Sequence, residues 1–408
     1  MSVPHTPSIP STASRRAFLG TAAGALILPF ALTQGAVATP AHRARREKPA
    51  PSLEILTDIL QQLPGSLAVD EDPPIAFTYA DLAAQLDALD IAPSMAGQGA
   101  ITTEIVNAIS PLPLGQIDAF LYSLDAEFTS AIGFDPMAVA QALQTGFGPT
   151  RTALFRGGFD PASIHRAWEA SGYEAMKTST GQMAWSSGPN GEFSPTDPLQ
   201  RRTVGSMNNA LVLDDEWLVF TRTFDQLDAI ATFAAATTED SLFAVAGVRD
   251  AIAMLNEKTV SAVALHGSML TPDLTFPLGS SLPEDLVAAD EETGPLPAAA
   301  LLMMAVTGGV RAYSQEEDAS VLADVVVQAR LAMDSPSDAE AAAEIVPSRW
   351  ETLDSPVSKV PYTRMLEVAQ TESIGTIAGI DFSITGPPPF WYRFIDQRDW
   401  LPFVTTGA

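Results

Sequence analysis

The 408-residue sequence contains no cysteine. Disulfide bonds, iron–sulfur clusters and cysteine-ligated zinc sites are therefore excluded, because each of them requires cysteine sulfur. Histidine is also scarce, with four residues in the whole chain. Since imidazole is the other common protein ligand of such groups, we expect the protein to carry no transition metal and no redox cofactor.

Known catalytic patterns are missing as well. The sequence has no G-x-S-x-G, S-x-x-K, P-loop, G-x-G-x-x-G or H-E-x-x-H pattern. Ser268 follows His266 closely, but a histidine adjacent in sequence rarely serves as the base of a serine nucleophile. His165 lies between Ile164 and Trp168 in a predicted helix, which favours a half-buried packing role over a catalytic one. No catalytic residue is assigned.

Basic residues are few: 22 Lys and Arg face 49 Asp and Glu, for a net charge of −27. Removal of residues 1–38 would take away two Arg and no acid, so that the charge becomes 20 − 49 = −29. Nucleic acids and anionic lipid headgroups are bound through Lys and Arg, so this balance excludes nucleic acid as a partner. The same abundance of acids leaves open a hydrolase that brings distant carboxylates together.

The N-terminus carries the most specific functional signal in the sequence. Arg15 and Arg16 belong to the run Ser-Arg-Arg-Ala-Phe-Leu, which precedes a weakly apolar stretch interrupted by Pro29. Ala36-Val37-Ala38 then supplies an A-x-A cleavage site. The arrangement resembles a twin-arginine (Tat) signal peptide and predicts export of the folded protein to the periplasm, the cell envelope or the extracellular medium.

An uncleaved membrane anchor is the alternative interpretation of the same stretch. Pro29 and the many Ala and Gly residues make it a poor permanent span, so we expect no stable transmembrane segment after cleavage. No Cys follows the apolar run, which excludes a lipoprotein anchor.

Residues 150–187 give the clearest structural pattern. A strand at Thr152–Arg156 is followed by Asp160 as helix N-cap, by Pro161 at the first helical position and by a helix that ends at Ser171-Gly172. A hairpin around Thr180-Gly181 follows. The pattern of this β-α-β-β unit is structural and indicates no catalytic or binding chemistry.

The tetrapeptide Gly-Phe-Asp-Pro occurs twice, starting at Gly133 and at Gly158. Matching apolar residues follow each copy, which predicts two helices that start in the same way. Two equivalent binding loops are the functional alternative.

The rest of the first half is predicted to contain a strand at Ile117–Ser123, a hairpin of Ala210–Leu213 and Trp217–Thr221, and helices at Leu227–Ala235 and Leu242–Leu255. The second half repeats this mixture of strands and helices, with strands at Val260–His266, Ala298–Val306 and Ser320–Leu331. It also has a long acidic excursion at Thr271–Gly294, a helix at Ala339–Trp350 started by Ser337 or Asp338, and a last β segment at Ile374–Ile384. We therefore predict an α+β fold of two related halves, each with antiparallel hairpins, a β-α-β-type unit and helices packed on sheet. The predicted segments are a signal peptide (1–38), a basic and then acidic flexible segment (39–75) and two α+β domains (76–257 and 258–408).

The C-terminal tail is the best candidate site in the sequence. The candidate binding face consists of Trp391, Tyr392 and Trp400, which lie in an aromatic-rich segment that follows three prolines. Such a density of aromatic residues is typical either of a binding face or of a segment docked on the core.

The twin-arginine signal, together with the L-F-R-G-G-F-D-P block and the A-W-E-A-S-G-Y run after it, resembles uncharacterised exported proteins of high-GC bacteria. The resemblance covers residues 117–235 best and brings no activity and no catalytic residues with it. Our leading hypothesis is a non-enzymatic envelope protein that binds an unknown ligand or protein partner. An extracytoplasmic hydrolase that uses dispersed carboxylates is the alternative.

The export assignment predicts that replacement of Arg15 and Arg16 together by Lys blocks translocation, because the paired arginines are the defining element of the signal. Secretion of a tagged full-length chain, compared with that of the double variant, measures this. Undiminished secretion of the variant, dependent on the Sec machinery, would refute the assignment.

Overall fold

In the computed structural model of this chain, twelve strands of the described residues pair into one antiparallel sheet. The structure describes residues 51–65, 67, 76–91, 103–113, 126–146, 152–188, 190, 196, 209–212, 215–233, 238–272, 283–310, 324–385, 391 and 399–406. The strands are β1 (Ala76–Asp81), β2 (Val139–Thr145), β3 (Thr152–Gly157), β4 (Glu174–Lys177), β5 (Met183–Ser186), β6 (Asn209–Val212), β7 (Trp217–Thr221), β8 (Thr259–His266), β9 (Ala299–Thr307), β10 (Val326–Met333), β11 (Leu366–Ile374) and β12 (Ile377–Ile384). Their order across the sheet is β11-β12-β10-β9-β8-β1-β2-β3-β7-β6-β5-β4.

The helices of the described residues cover both faces of this sheet. They are α1 (Ser52–Gln61), α2 (Leu82–Ala88), α3 (Thr103–Ile109), α4 (Ala126–Ile132), α5 (Pro161–Ala170), α6 (Phe224–Phe233), α7 (Val248–Ala253), α8 (Glu284–Thr293) and α9 (Pro336–Thr352). We call the face that packs against α2–α5, α8 and α9 the front face, and the face that packs against α1, α6 and α7 the back face.

Alternation along each strand explains the two cores. Phe155 and Phe220 point into the front core, whereas their neighbours Leu154 and Val219 point into the back core. Because both faces are covered, the central strands have nearly continuous apolar sequences, and β9 is buried at eight of its nine positions.

The predicted α+β class with two related halves is confirmed. Each half contains a three-stranded meander, β1-β2-β3 or β8-β9-β10, followed by a front-face helix, α5 or α9. The strands after the helix return to pair with the third strand of the meander, through β7 in one half and β12 in the other.

The internal relation extends to side chains. Trp168 of α5 packs on Phe220 of β7, and Trp350 of α9 packs on Phe382 of β12, with ring centroids 5.8 and 4.6 Å apart. In both halves, therefore, a buried tryptophan holds the helix on the strand that returns to the meander.

The halves meet where β1 pairs with β8. Tyr79 lies opposite Ala262, and the Ser261 hydroxyl donates to the Tyr79 carbonyl oxygen at 2.7 Å. The strands of both predicted halves thus belong to one sheet. The division at 257/258 stays a prediction, and residues 1–50 lie outside the described residues.

Local sequence signals explain the starts of the main helices. Asp160 accepts from the Ala162 amide at 3.1 Å and caps α5, as predicted. Ser335 accepts from the Asp338 amide at 3.2 Å and caps α9, with Pro336 at the first position. The predicted caps Ser337 and Asp338 were wrong by two or three positions, because the cap-then-proline pattern takes precedence.

The prediction for the first Gly-Phe-Asp-Pro copy was wrong. Asp135 caps only a short 3₁₀ turn, Pro136–Ala138, after which the chain enters β2 instead of a helix. The two copies pack on each other, since the rings of Phe134 and Phe159 meet edge to face at 5.3 Å. The two copies of the repeat thus take part in one packing contact.

Three further expectations were wrong or incomplete. The helix predicted over Leu242–Leu255 is broken at Gly247, which has a φ of 83°. The long excursion after Thr271 contains α8, and the last predicted β segment is preceded by the unpredicted β11. The strand predicted at Ile117–Ser123 lies outside the described residues.

The two glycines that open the repeat provide a matched test of this packing. Gly133 has a φ of 78°, and a Cβ there would lie 2.8 Å from the Ile164 Cα; a Cβ on Gly158 would meet nothing within 4 Å. We expect Gly133→Ala to destabilise the protein by more than about 1 kcal/mol and Gly158→Ala to be neutral or slightly stabilising. Urea unfolding of both variants measures this, and equal effects would contradict the packing described here.

Candidate functional site

The aromatic tail lies where the docking alternative requires it. Trp391 and Trp400 are 1% and 2% exposed, and the Trp391 indole N–H donates to the Pro111 carbonyl at 2.7 Å. Both indoles belong to the front core, so they present no exposed face in this structure. Tyr392 lies outside the described residues.

A buried arginine holds the end of the tail. Arg349 of α9 donates to the Val404 carbonyl at 2.7 Å and to the Thr406 hydroxyl at 3.0 Å, and it pairs with Asp290 of α8. Burial lowers the pKa of the guanidinium, while the charge of Asp290 favours its protonated form. A buried cation with these partners serves to fix the tail.

A second buried ionisable group, Asp399, also holds the tail. Asp399 accepts from the Ser355 hydroxyl and from the Tyr362 hydroxyl, each at 2.6 Å. Burial raises the pKa of Asp399, and burial with the neighbouring carboxylate raises that of Tyr362. The carboxyl is enclosed by its hydrogen-bond donors, so its shifted pKa reports a structural anchor.

The two described histidines have packing and capping contacts. His165 lies against the rings of Trp168 and Trp185, and burial lowers its pKa. The His266 Nδ1 accepts from the Ser268 amide at 3.2 Å, so this ring caps the 3₁₀ turn after β8. The Ser268 hydroxyl lies 3.1 Å from the same nitrogen, but that nitrogen is already the acceptor of the cap.

The acidic turn between β6 and β7 is explained by packing. The carbonyls of Asp215 and Glu216 accept from the amides of Phe159 and Gly157, and the Glu216 carboxylate pairs with Arg156 at 3.3 Å. Within the described ranges, no group of three or more His, Asp or Glu side chains could hold a metal ion.

A cleft on the back face has the size and lining of a ligand site. Its volume is about 650 Å³, within the range of pockets that hold small molecules. It lies between the end of α1, the segment before α7, the start of α7, the ends of β9 and β10, and the turn after β11. The lining residues are Gln61, Glu239, Phe243, Ala244, Val245, Ala246, Gly247, Arg249, Asp250, Ala300, Ala332, Met333, Asp334 and Thr376.

Backbone contacts fix the walls of the cleft. The Leu242 amide donates to the Leu63 carbonyl and the Gly65 amide to the Asp240 carbonyl, each at 2.7 Å, which ties the segment before α7 to the end of α1. On the opposite wall, the register of β10 shifts between Ala332 and Met333. Such bulges re-aim the side chains around them.

Gly247 permits the close approach that forms the floor. A Cβ on this residue would lie 2.4 Å from the Ala332 Cβ, and its φ of 83° is one that other residues rarely adopt. The start of α7 therefore lies directly on β10. Ala332 is buried in the back core, and partly buried Phe243 and Val245 extend the apolar surface.

The rim of the cleft is polar and mostly acidic. Glu239, Asp250 and Asp334 are exposed carboxylates, and Arg249 is the basic lining residue. Arg249 Nε lies 3.1 Å from an Asp250 carboxylate oxygen. Sequence reasoning missed this site because its residues come from six separate segments. The glycine inside the predicted helix at 242–255 was the available signal, because an isolated glycine in a helical pattern marks a break or a close contact.

Truncation after Gly386 tests the role of the tail. It removes Trp391, Trp400 and Phe403 from the front core, and loss of one such aromatic side chain costs about 3–5 kcal/mol. We expect an insoluble or protease-sensitive product, because the total for three side chains, about 9–15 kcal/mol, is as large as the whole stability of a typical domain, about 5–15 kcal/mol. Deletion of residues 407–408 alone is the control and should change neither solubility nor melting temperature. A soluble, cooperatively folded truncation would show that the tail is dispensable for folding.

Comparison with known proteins gives no family. No family model and no curated protein match the chain. Three solved structures, described as crystal forms I, III and IV of TP0453, align with 8%, 11% and 11% identity and TM-scores of 0.32, 0.31 and 0.33. The alignments cover 79%, 76% and 76% of this chain and 93%, 90% and 89% of the respective matched chains. At these scores the likeness carries no argument about the fold or function of this chain.

Proposed function

We propose that the protein is an exported, non-enzymatic binding protein of the cell envelope, and that the back-face cleft holds its ligand. The cleft itself is the observation that carries this proposal: it has a volume of about 650 Å³ and is lined both by apolar side chains, such as Phe243 and Val245, and by charged ones. Pockets that bind small molecules combine these features. The export part rests on Arg15, Arg16 and the cleavage site of the sequence.

The buried ionisable groups support binding rather than catalysis. Asp81 and Asp399 are the described carboxyls whose pKa values burial raises, and each is enclosed by structural hydrogen bonds. Asp81 caps α2 and accepts from the Gln141 amide group at 3.0 Å. Neither residue lines the cleft.

A hydrolase remains the second candidate, because Glu239, Asp250 and Asp334 share one cleft. Glycosidases use two carboxylates on opposite sides of the scissile bond, and one of them needs an environment that keeps it protonated. All three cleft carboxylates are exposed to water, which supplies no such environment. The binding function is therefore the better supported of the two.

Occlusion of the cleft tests the binding function. Ala244 is an exposed residue on its rim, so Ala244→Trp should fill the opening without disturbing the core. With the neutral apolar dye Nile red as probe, we expect fluorescence titration to give one site per chain and the variant to bind at least tenfold more weakly.

Ala369→Trp is the matched control, because Ala369 is exposed on edge strand β11, which does not line the cleft. Its dye affinity should equal that of the unmodified protein. Failure of the unmodified protein to bind the dye, or equal affinities of all three proteins, would remove the cleft as the ligand site.

A further inference from the structure

The charges around the cleft indicate which ligands it accepts; this step rests on the proposed function of the cleft. Three carboxylates and one guanidinium line it. Since Arg249 and Asp250 form an ion pair at 3.1 Å, their charges largely offset each other. Glu239 and Asp334 are left as the uncompensated charges of the rim.

These two acids are held by different elements. Glu239 belongs to the 3₁₀ turn Thr238–Asp240, which is tied to the end of α1, whereas Asp334 follows β10 directly and precedes the cap of α9. Both backbone segments are therefore fixed by structure that does not depend on a ligand. A cation in the cleft would find negative charge already in place, without paying for its assembly.

The apolar floor of the cleft places a second requirement on the ligand. Phe243 and Val245, which pack beside the buried Ala332, offer apolar surface that a fully polar cation would leave unused. Each CH₂ group that leaves water for such a surface strengthens binding about fourfold. A single exposed carboxylate changes affinity by less than about fivefold, so the charges select among ligands that the apolar floor retains.

We infer that the cleft binds small amphipathic amines: molecules with an apolar body that lies on Phe243 and Val245 and a protonated amino group held at the rim by Glu239 and Asp334. Anions with the same apolar body are rejected, because their charge meets the same two carboxylates.

The experiment uses three probes with one body and different head groups: 4-phenylbutylamine, 4-phenylbutan-1-ol and 4-phenylbutanoate. Each competes with Nile red for the purified protein at low salt. We expect the amine to displace the dye at a concentration about fivefold to tenfold lower than the alcohol does, and the carboxylate to require more than the alcohol. At 0.5 M salt the preference for the amine should shrink, because exposed charges are screened.

The variant Glu239→Gln/Asp334→Asn should lose the preference for the amine and keep the affinity for the alcohol. Its matched control is Glu291→Gln/Glu292→Gln, which removes the same charge from exposed positions on α8, on the front-face side of the sheet. The control variant should keep the preference, and melting temperatures check that both variants are folded.

The outcomes separate the two proposals. Equal displacement by amine and alcohol, or a preference that survives Glu239→Gln/Asp334→Asn, overturns the amine assignment while leaving the cleft as a ligand site. Equal loss of preference in both variants assigns the effect to the overall charge of −27 and also overturns it. Absence of any dye binding overturns the cleft and the amine assignment together.

Discussion

The pairing of β1 with β8 is the contact on which the rest of the structure depends. It joins two three-stranded meanders into one sheet and so creates two large apolar faces, each of which must be covered. The same pairing places Tyr79 in the back core, where its hydroxyl donates to the Ser52 carbonyl at the start of α1. Burial and the nearby Asp81 carboxylate raise the pKa of this phenol, which keeps it a neutral donor. The junction of the halves therefore also fixes the helix whose far end forms one wall of the cleft.

Coverage of the front face explains the C-terminal tail. In the first half, α2 to α5 supply the covering surface, whereas in the second half the described helices on that face are α8 and α9. The tail adds Trp391, Trp400 and Phe403 beside α9. Its approach brings carbonyl groups into the core, and the buried Arg349 satisfies them, with Asp290 as the counter-charge. The aromatic density of the tail is thus a property of a segment that completes a core.

Local patterns predicted what depends on local physics. Turn chemistry predicted the cap Asp160 and the hairpins of the first half, and a continuous apolar run predicted strand β9. All of these elements occur as expected. β11 was missed because an edge strand exposed along most of its length has little apolar signal. α8 was missed because only Leu286 and Ala289 of its ten residues are buried. The helix expected after Asp135 was wrong because the apolar residues there fit the two-residue period of a strand as well as the period of a helix. The pairing of β2 with β1 and β3 decided in favour of the strand.

The cleft could not be predicted from local patterns, because it results from incomplete coverage of the back face of the sheet by helices. The back face of β9 and β10 is covered by α7, which has six residues and spans about 9 Å. At its C-terminal end, the sheet beneath becomes polar: Arg330 donates to the Met254 carbonyl at 3.0 Å and to Asp381 at 2.7 Å. At its N-terminal end, Gly247 brings the chain down onto Ala332 and leaves the adjoining apolar surface open. A longer helix would have closed this surface, so the glycine that ends the expected helix is also the residue that makes the site.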